Sequence, residues 1–266
     1  MNSINEERII RNIQKLGERF CQEMLRSLGG NLEENWWEGL KFFFGHTFFR
    51  GRRDQLSAKY YQFTIQALQT HFNISNENLM NAYNRLISAT EDKIEEILQE
   101  PREVEINWES NTYTKELCLN NEKDRKMVLA VLNFMRKIKE VNKNVYQYLK
   151  NRISQGEIKK VYEELKDLYG IGDKIACLII RDILLLNPEI NIKKENYKYA
   201  FPVDTWVRKV ANKLGVSDND DERIKESLIN KCDELKVDPL KVAAGLWYLG
   251  VNSLNIALEL LERIEI

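Results

Sequence analysis

Residues that break chains, bridge thiols or bind metals are scarce in this sequence of 266 residues. Twelve glycines and four prolines are too few for the many tight turns of an all-β sandwich or barrel. A composition 43% hydrophobic and 30% charged excludes a disordered polymer. The four cysteines, Cys21, Cys118, Cys177 and Cys232, lie far apart with no C-x-x-C spacing, and the two histidines, His46 and His71, stand away from them. No zinc site, iron–sulfur cluster or other metal is therefore expected, and a serine–histidine–aspartate triad has little material to work with. Free thiols suit a reducing, cytoplasmic compartment. Residues 1–8 lack the basic-then-apolar layout of a signal peptide, and apolar runs such as 175–180 are too short to span a bilayer, so the expectation is an intracellular protein without a membrane partner. There is no G-x-x-x-x-G-K-[S/T], and a lone G-x-G lacks the third glycine and the strand of a dinucleotide site, which speaks against a nucleotide cofactor; no cofactor is expected at all. The net charge of -1 provides no overall attraction to nucleic acid.

What the sequence has in quantity is helical periodicity. Ile9, Ile10, Ile13, Leu16, Phe20, Met24 and Leu28 recur at three- and four-residue spacing and predict a helix over 6–28, ended by Gly29 and Gly30. Further helices are predicted over 36–49, from 57 to 72, and over 76–88, 90–99, 122–138, 142–153, 157–168, 174–187, 205–214, 219–234 and 238–264, with Ser75 as the cap of the 76–88 helix. Residues 101–121 are the least regular stretch and read as a loop or a short extended piece. The class is all-α, with no repeat that would make a solenoid.

Two short stretches carry chemistry. Gly170-Ile171-Gly172 lies between two predicted helices, where glycines let a backbone approach a ligand and the N–H groups of the next helix favour an anion. An ordinary helix-ending turn explains the same residues, with Ile171 as its apolar anchor. Lys174 falls in the first turn of the following helix. It is either a surface or phosphate-contacting lysine or an amine nucleophile, and a nucleophilic amine must first lose its proton, which a helix N-terminus and partial burial both promote. Asp204 reads as a helix N-cap, a role compatible with stabilising a cationic sugar. Arg208 and Lys209, one turn later, are solvated charges or phosphate contacts. Between Lys166 and Lys213 nine Lys/Arg face six Asp/Glu, a locally positive balance. The basic link containing Arg50, Arg52, Arg53 and Gln55 joins two aromatic-rich helices and is placed to touch phosphate.

Together, Leu168-x-Gly170-Ile171-Gly172-x-Lys174-x-Ala176 and Val203-Asp204-Thr205-x-Val207-x-Lys209-Val210-Ala211 resemble the paired signature of the helix-hairpin-helix GPD superfamily of base-excision DNA glycosylases. The close match covers roughly residues 160–215. The resemblance implies two helical lobes, residues 35–188 and residues 1–34 plus 189–266, with an active-site cleft between them. It implies that Gly170, Ile171 and Gly172 bind DNA with Arg50, Arg52, Arg53, Gln55 and Arg208, that Lys174 is the Schiff-base lysine of bifunctional members, and that Asp204 is the catalytic carboxylate. Trp247 resembles the aromatic on which oxidised guanine stacks in some members; a place in the core explains it equally well.

This sequence departs from the family pattern in three ways. It lacks the cysteine cluster of endonuclease III-like members, its lysine-to-aspartate connector is longer, and Trp206 stands where histidine is frequent. The absent cluster tilts the resemblance toward 8-oxoguanine glycosylase-like branches. The implied protein is a monomeric base-excision glycosylase and AP lyase acting on double-stranded DNA with a damaged base. Two other classes remain open at the level of sequence: a catalytically silent helix-hairpin-helix DNA-binding protein, and a helical interaction module that does not bind DNA.

Overall fold

A computed structural model of the chain describes residues 3–25, 31–48, 54–108, 111–140, 142–216 and 220–252. The described residues are mostly helical. In chain order the α-helices are α1 (Ser3–Phe20), α2 (Trp36–Thr47), α3 (Asp54–Phe72), α4 (Leu79–Ser88), α5 (Glu91–Gln99), α6 (Glu122–Ile138), α7 (Val145–Ser154), α8 (Ile158–Lys166), α9 (Asp173–Leu186), α10 (Thr205–Lys213), α11 (Asp221–Glu234) and α12 (Pro239–Val251). Between α5 and α6 lies a two-stranded antiparallel sheet, β1 (Arg102–Trp108) paired with β2 (Asn111–Leu117). The all-α expectation is thus amended by one hairpin, which occupies the stretch read as loop or short extended piece. No helix among the described residues is long and apolar enough to cross a membrane.

The chain divides into two compact units. Residues 1–29, 156–162 and 176–266 form the first, and residues 30–155 and 163–175 the second. Helices α8 and α9 each begin in one unit and end in the other. The division falls inside α9, between Ile175 and Ala176, and beyond it Arg181 ties the body of that helix to α1 and α12.

In the first unit, α1 and α12 cross at backbone-to-backbone distance. A Cβ placed on Gly17 would lie 1.9 Å from the Lys241 carbonyl oxygen, and one on Gly245 would lie 1.8 Å from that of Ile13. Only glycine at both positions permits this approach, and the gain is that Ile10, Ile13, Val242, Ala243 and Leu246 enter one core with Val207, Ala211, Leu228 and Ile229. After Phe20, α1 widens into a π-helical turn, Cys21–Leu25. The expected continuation through Leu28 lies outside the described residues.

The second unit is centred on aromatic contacts. Trp36 packs edge-on against Tyr83 with ring centroids 5.3 Å apart, and its indole N–H donates to the Leu79 carbonyl at 3.0 Å. Phe42 meets Tyr146 edge-on at 5.1 Å. Buried Asn144 caps α7 by accepting from Tyr146 N at 3.0 Å while its amide donates to the Leu32 carbonyl at 2.6 Å. Ser75, expected to cap a helix over 76–88, instead precedes a short 3-10 turn, Asn76–Asn78, and its side chain makes no capping bond. The Asn78 N–H donates to the Ser75 backbone carbonyl at 3.0 Å, closing the 3-10 turn, and α4 starts only at Leu79.

Replacing Gly245 by Ala is expected to lower the unfolding free energy by about 3 kcal/mol or more, because the obstructing atom is a backbone carbonyl that cannot step aside. Gly45, in α2, has open space where a Cβ would go. Its replacement by Ala is expected to raise stability by about 0.5–1 kcal/mol. Urea unfolding of the two variants checks both signs.

Candidate functional site

The turn between α8 and α9 lies wholly in the second unit. What holds it is the C-terminal half of α8. Glu164 accepts hydrogen bonds from the Tyr148 hydroxyl and pairs with Arg152, both on α7, and it is reached by Lys137 from α6 at 3.2 Å. Leu165, the next residue, is fully buried. The chain then reverses: Ile171 N donates to the Leu168 carbonyl at 3.0 Å, and Gly170 takes a φ of +84°, a conformation that disfavours any residue with a Cβ. Ile171 is buried, 4% exposed, so it anchors the turn in the second unit, while Gly172 is exposed with nothing within 4 Å of a Cβ placed on it. Helix α9 begins at Asp173, and the half-buried Lys174 stands in its first turn, where the leading N–H groups of a helix have no intrahelical acceptor.

Asp204 belongs to the first unit. Its backbone is extended (φ -130°, ψ -172°), and one carboxylate oxygen accepts from Trp206 N and Val207 N, each at 2.9 Å, which caps α10. The same side chain that caps the helix is thereby fixed in direction, because two bonds to one oxygen leave it no rotamer freedom. Buried Val207 and Ala211 seat α10 in the first unit's core, and Gly215, with φ +76°, follows the helix end. Exposed Trp206 lies against α12: a Cβ on Gly250 would come 2.6 Å from its Cδ1. The Lys209 ammonium sits 4.6 Å from its ring centroid. Trp206, Val210, Ile9, Ile13, Leu16 and Leu249 make the apolar floor of a groove of about 860 Å3, rimmed by Lys209 and Lys213.

The remaining expected site residues fall as follows. Arg208 pairs with Asp221 at 2.5 Å. Gln55 is exposed in the first turn of α3. Trp247 is half-buried, edge-on to Phe20 at 5.5 Å and 5.9 Å from the Arg181 guanidinium carbon. Arg50, Arg52 and Arg53 lie outside the described residues. Gly170, Ile171, Gly172, Lys174 and Gln55 are carried by the second unit, and Asp204, Arg208 and Trp247 by the first.

One inference from sequence needs correcting. Arg181, one of the nine basic residues counted in the locally positive stretch between Lys166 and Lys213, is 1% exposed. Its Nε donates to Asp182 Oδ1 at 2.7 Å, Nη1 donates to the Ala243 carbonyl at 3.4 Å, and the guanidinium lies 5.0 Å from the Phe20 ring centroid. Lys194 is likewise engaged, with Asp233 at 2.6 Å. Arg181 and Asp182 leave the count together and do not change its balance; what lowers the charge offered to a ligand is the pairing of Lys194 with Asp233 and of Arg208 with Asp221, both acids from outside the stretch. Residues that sequence reasoning missed are Gly17, Gly245 and Gly250, whose close contacts set where α10, and so Asp204, sits within the first unit.

The thiols of buried Cys232 and half-buried Cys21 are not candidates for nucleophilic work. Burial, with Asp238 adding, pushes the Cys232 thiol up to about 12, and burial followed by the Asp182 charge raises that of Cys21. No group of His, Cys, Asp or Glu among the described residues is arranged to hold a metal ion.

Comparison with known proteins adds one partial likeness. Over 78 residues, 28% of this chain, the sequence is 33% identical to the uncharacterized protein MJECL21 of Methanocaldococcus jannaschii. The matched stretch spans 17% of that protein's length. No family model matches the chain. No solved structure matches it either.

Removing the cap by Asp204→Ala is expected to cost about 0.5–2 kcal/mol of stability, whereas Asp204→Asn, whose amide oxygen accepts the same two bonds, should change it by only a few tenths. Denaturant unfolding distinguishes them. Equal losses in both variants would mean that the carboxylate's charge, and not its capping geometry, is what the fold uses.

Proposed function

We propose that this protein is a base-excision DNA glycosylase with AP lyase activity, acting on an oxidised purine such as 8-oxoguanine in duplex DNA. One observation carries the reading: a single chain pairs a lysine in the first helical turn after a positive-φ glycine reversal with an aspartate fixed by capping a later helix. The order and spacing of these residues resemble the glycosylase signature. In this reading α8, the turn and α9 serve as the helix-hairpin-helix, with exposed Gly172 and the leading N–H groups of α9 receiving a DNA phosphate.

The chemistry follows from the two side chains. The damaged nucleotide leaves the stack, and its glycosidic bond weakens as positive charge grows on the deoxyribose, which the Asp204 carboxylate stabilises. The neutral Lys174 amine attacks C1′. The C1′–N bond breaks, and the base departs with its electron pair and takes up a proton. Opening of the sugar gives an imine between Lys174 Nζ and C1′, and loss of a C2′ proton expels the 3′ phosphate by β-elimination. No metal or cofactor enters any step. The reading requires amine and carboxylate to reach the same nucleotide, and the cleft implied by the family resemblance belongs to it.

Borohydride added during turnover should trap a covalent protein–DNA adduct, because it reduces the imine to a stable amine. Lys174→Gln is expected to abolish trapping. An adduct formed by this variant in the same yield as wild type would remove Lys174 from the mechanism. Asp204→Asn, which retains the cap, is expected to lower single-turnover base release by at least about 100-fold, on the order of an electrostatic stabiliser's usual contribution.

A further inference from the structure

Helices α1 and α10 present matching stripes to a common groove in the first unit. On α1 the lining residues are Ile9, Asn12, Ile13 and Leu16, and on α10 they include Trp206, Lys209, Val210 and Lys213. Both sets follow the interval i, i+3, i+4, i+7, which is one face of a helix over two turns. Leu249 contributes a further apolar side chain from α12. A trough between two such ridges, about 10 Å long at ~1.5 Å of rise per residue, has the form of a seat for a third helix.

The floor of this trough is apolar yet reached by water. Ile9 and Val210 pack against the edge of the first unit's core and are only half-buried, as are Leu16 and Leu249, and Trp206 is 41% exposed. An exposed indole among aliphatic side chains, in a groove of about 860 Å3, is surface that gains free energy when another apolar surface covers it.

The charge around the floor is of one sign. No carboxylate lines the groove. Helix α10 carries Arg208, Lys209 and Lys213 and no acid, and while Arg208 is paired with Asp221, exposed Lys209 and Lys213 have no carboxylate partner among the described residues. The acids of α1 are engaged elsewhere: Glu6 pairs with Lys231, Glu7 with Arg11 and Glu18 with Lys241. A phosphate backbone laid here would satisfy the two lysines but leave the apolar side chains against water, and an uncharged apolar segment would leave the lysines unmatched.

We infer that this groove is the docking site for an acidic amphipathic helix of a partner protein. The partner's apolar stripe lies on Trp206, Val210, Ile9, Ile13, Leu16 and Leu249, and the carboxylates that border its stripe pair with Lys209 and Lys213. Trp206 supplies the aromatic anchor. The inference concerns recruitment of a partner and stands whether or not Lys174 and Asp204 perform the proposed chemistry.

The test uses the full chain and three synthetic peptides labelled with fluorescein. One has leucines at i, i+3, i+4 and i+7 flanked by glutamates, the second has every glutamate replaced by lysine, and the third is the acidic sequence scrambled to destroy the stripe. Fluorescence anisotropy is expected to show the acidic peptide binding at least about tenfold more tightly than either of the others, with an affinity that falls as salt is raised. Trp206→Ala is expected to weaken it by about tenfold or more. Lys209→Glu/Lys213→Glu is expected to invert the preference, so that the lysine peptide binds more tightly than the acidic one; a gain of binding cannot come from misfolding. Equal binding of the acidic and scrambled peptides, or an unchanged preference in the charge-reversed variant, would overturn the site. Absence of peptide binding would overturn it too, whether the groove then proves to hold phosphatidylglycerol vesicles through Trp206 or a second copy of the chain, seen as a dimer in sedimentation that Trp206→Ala dissociates.

Discussion

The first unit depends on two helices touching through their backbones. Gly17 and Gly245 leave no room for a methyl group between α1 and α12, and that approach joins the beginning of the chain to its later helices. Dispersion and apolar burial act over short distances, so a gap of even one methylene would forfeit part of the packing among Ile13, Val242 and Leu246. The consequence reaches the candidate site through α12. This helix presents Gly245 to α1, Trp247 to Phe20 and Arg181, and Gly250 to the indole of Trp206. Because Trp206 is the second residue of α10, the seating of its ring helps fix the start of the helix that Asp204 caps.

Charge is handled differently inside and outside. Arg181 and Asp182 are buried together, and such a pair is costly to form but far more costly to break on one side, by about 3–5 kcal/mol, since the survivor would be an unpaired charge in the core. It contributes a fixed position for α9. At the surface, Glu164 of α8 gathers Arg152, Tyr148 and Lys137 just before the turn. The glycine reversal that follows is thus supported from behind by ionic contacts and from within by Ile171.

The sequence reveals these elements unequally, and the reasons are physical. Helix α6 matches its expected bounds because Met127, Val131, Phe134 and Ile138 repeat at helical spacing and Asn121 caps it through Lys123 N at 2.9 Å. The Asp204 cap was legible because capping is a local interaction, settled within three residues. The hairpin was not, because only Val104 and Ile106 alternate into the core while Thr112 to Glu116 of β2 are all exposed, leaving no two-residue apolar period to read. Arg181 misled because its burial depends on Phe20, Ala243 and Trp247, residues remote in sequence. Gly17 and Gly245 carry no local sign of their role, and only the partner carbonyls show that they are contact points. The hydrogen bonds that Gln62 and Gln66 of α3 exchange with the backbone of Asn107 and Glu105 in β1 were illegible for the same reason: a side-chain amide imitating a strand has no signature in the chain that carries it.

The functional account comes down to an amine that becomes covalently joined to C1′ as it displaces the base. The most direct measurement is incubation of the protein with duplexes each carrying a single oxidised, alkylated or deaminated base, followed by analysis of free base and strand length without alkali. The account predicts release of an oxidised purine together with cleavage 3′ to the lesion. Intact strands and no free base across the whole set would contradict it.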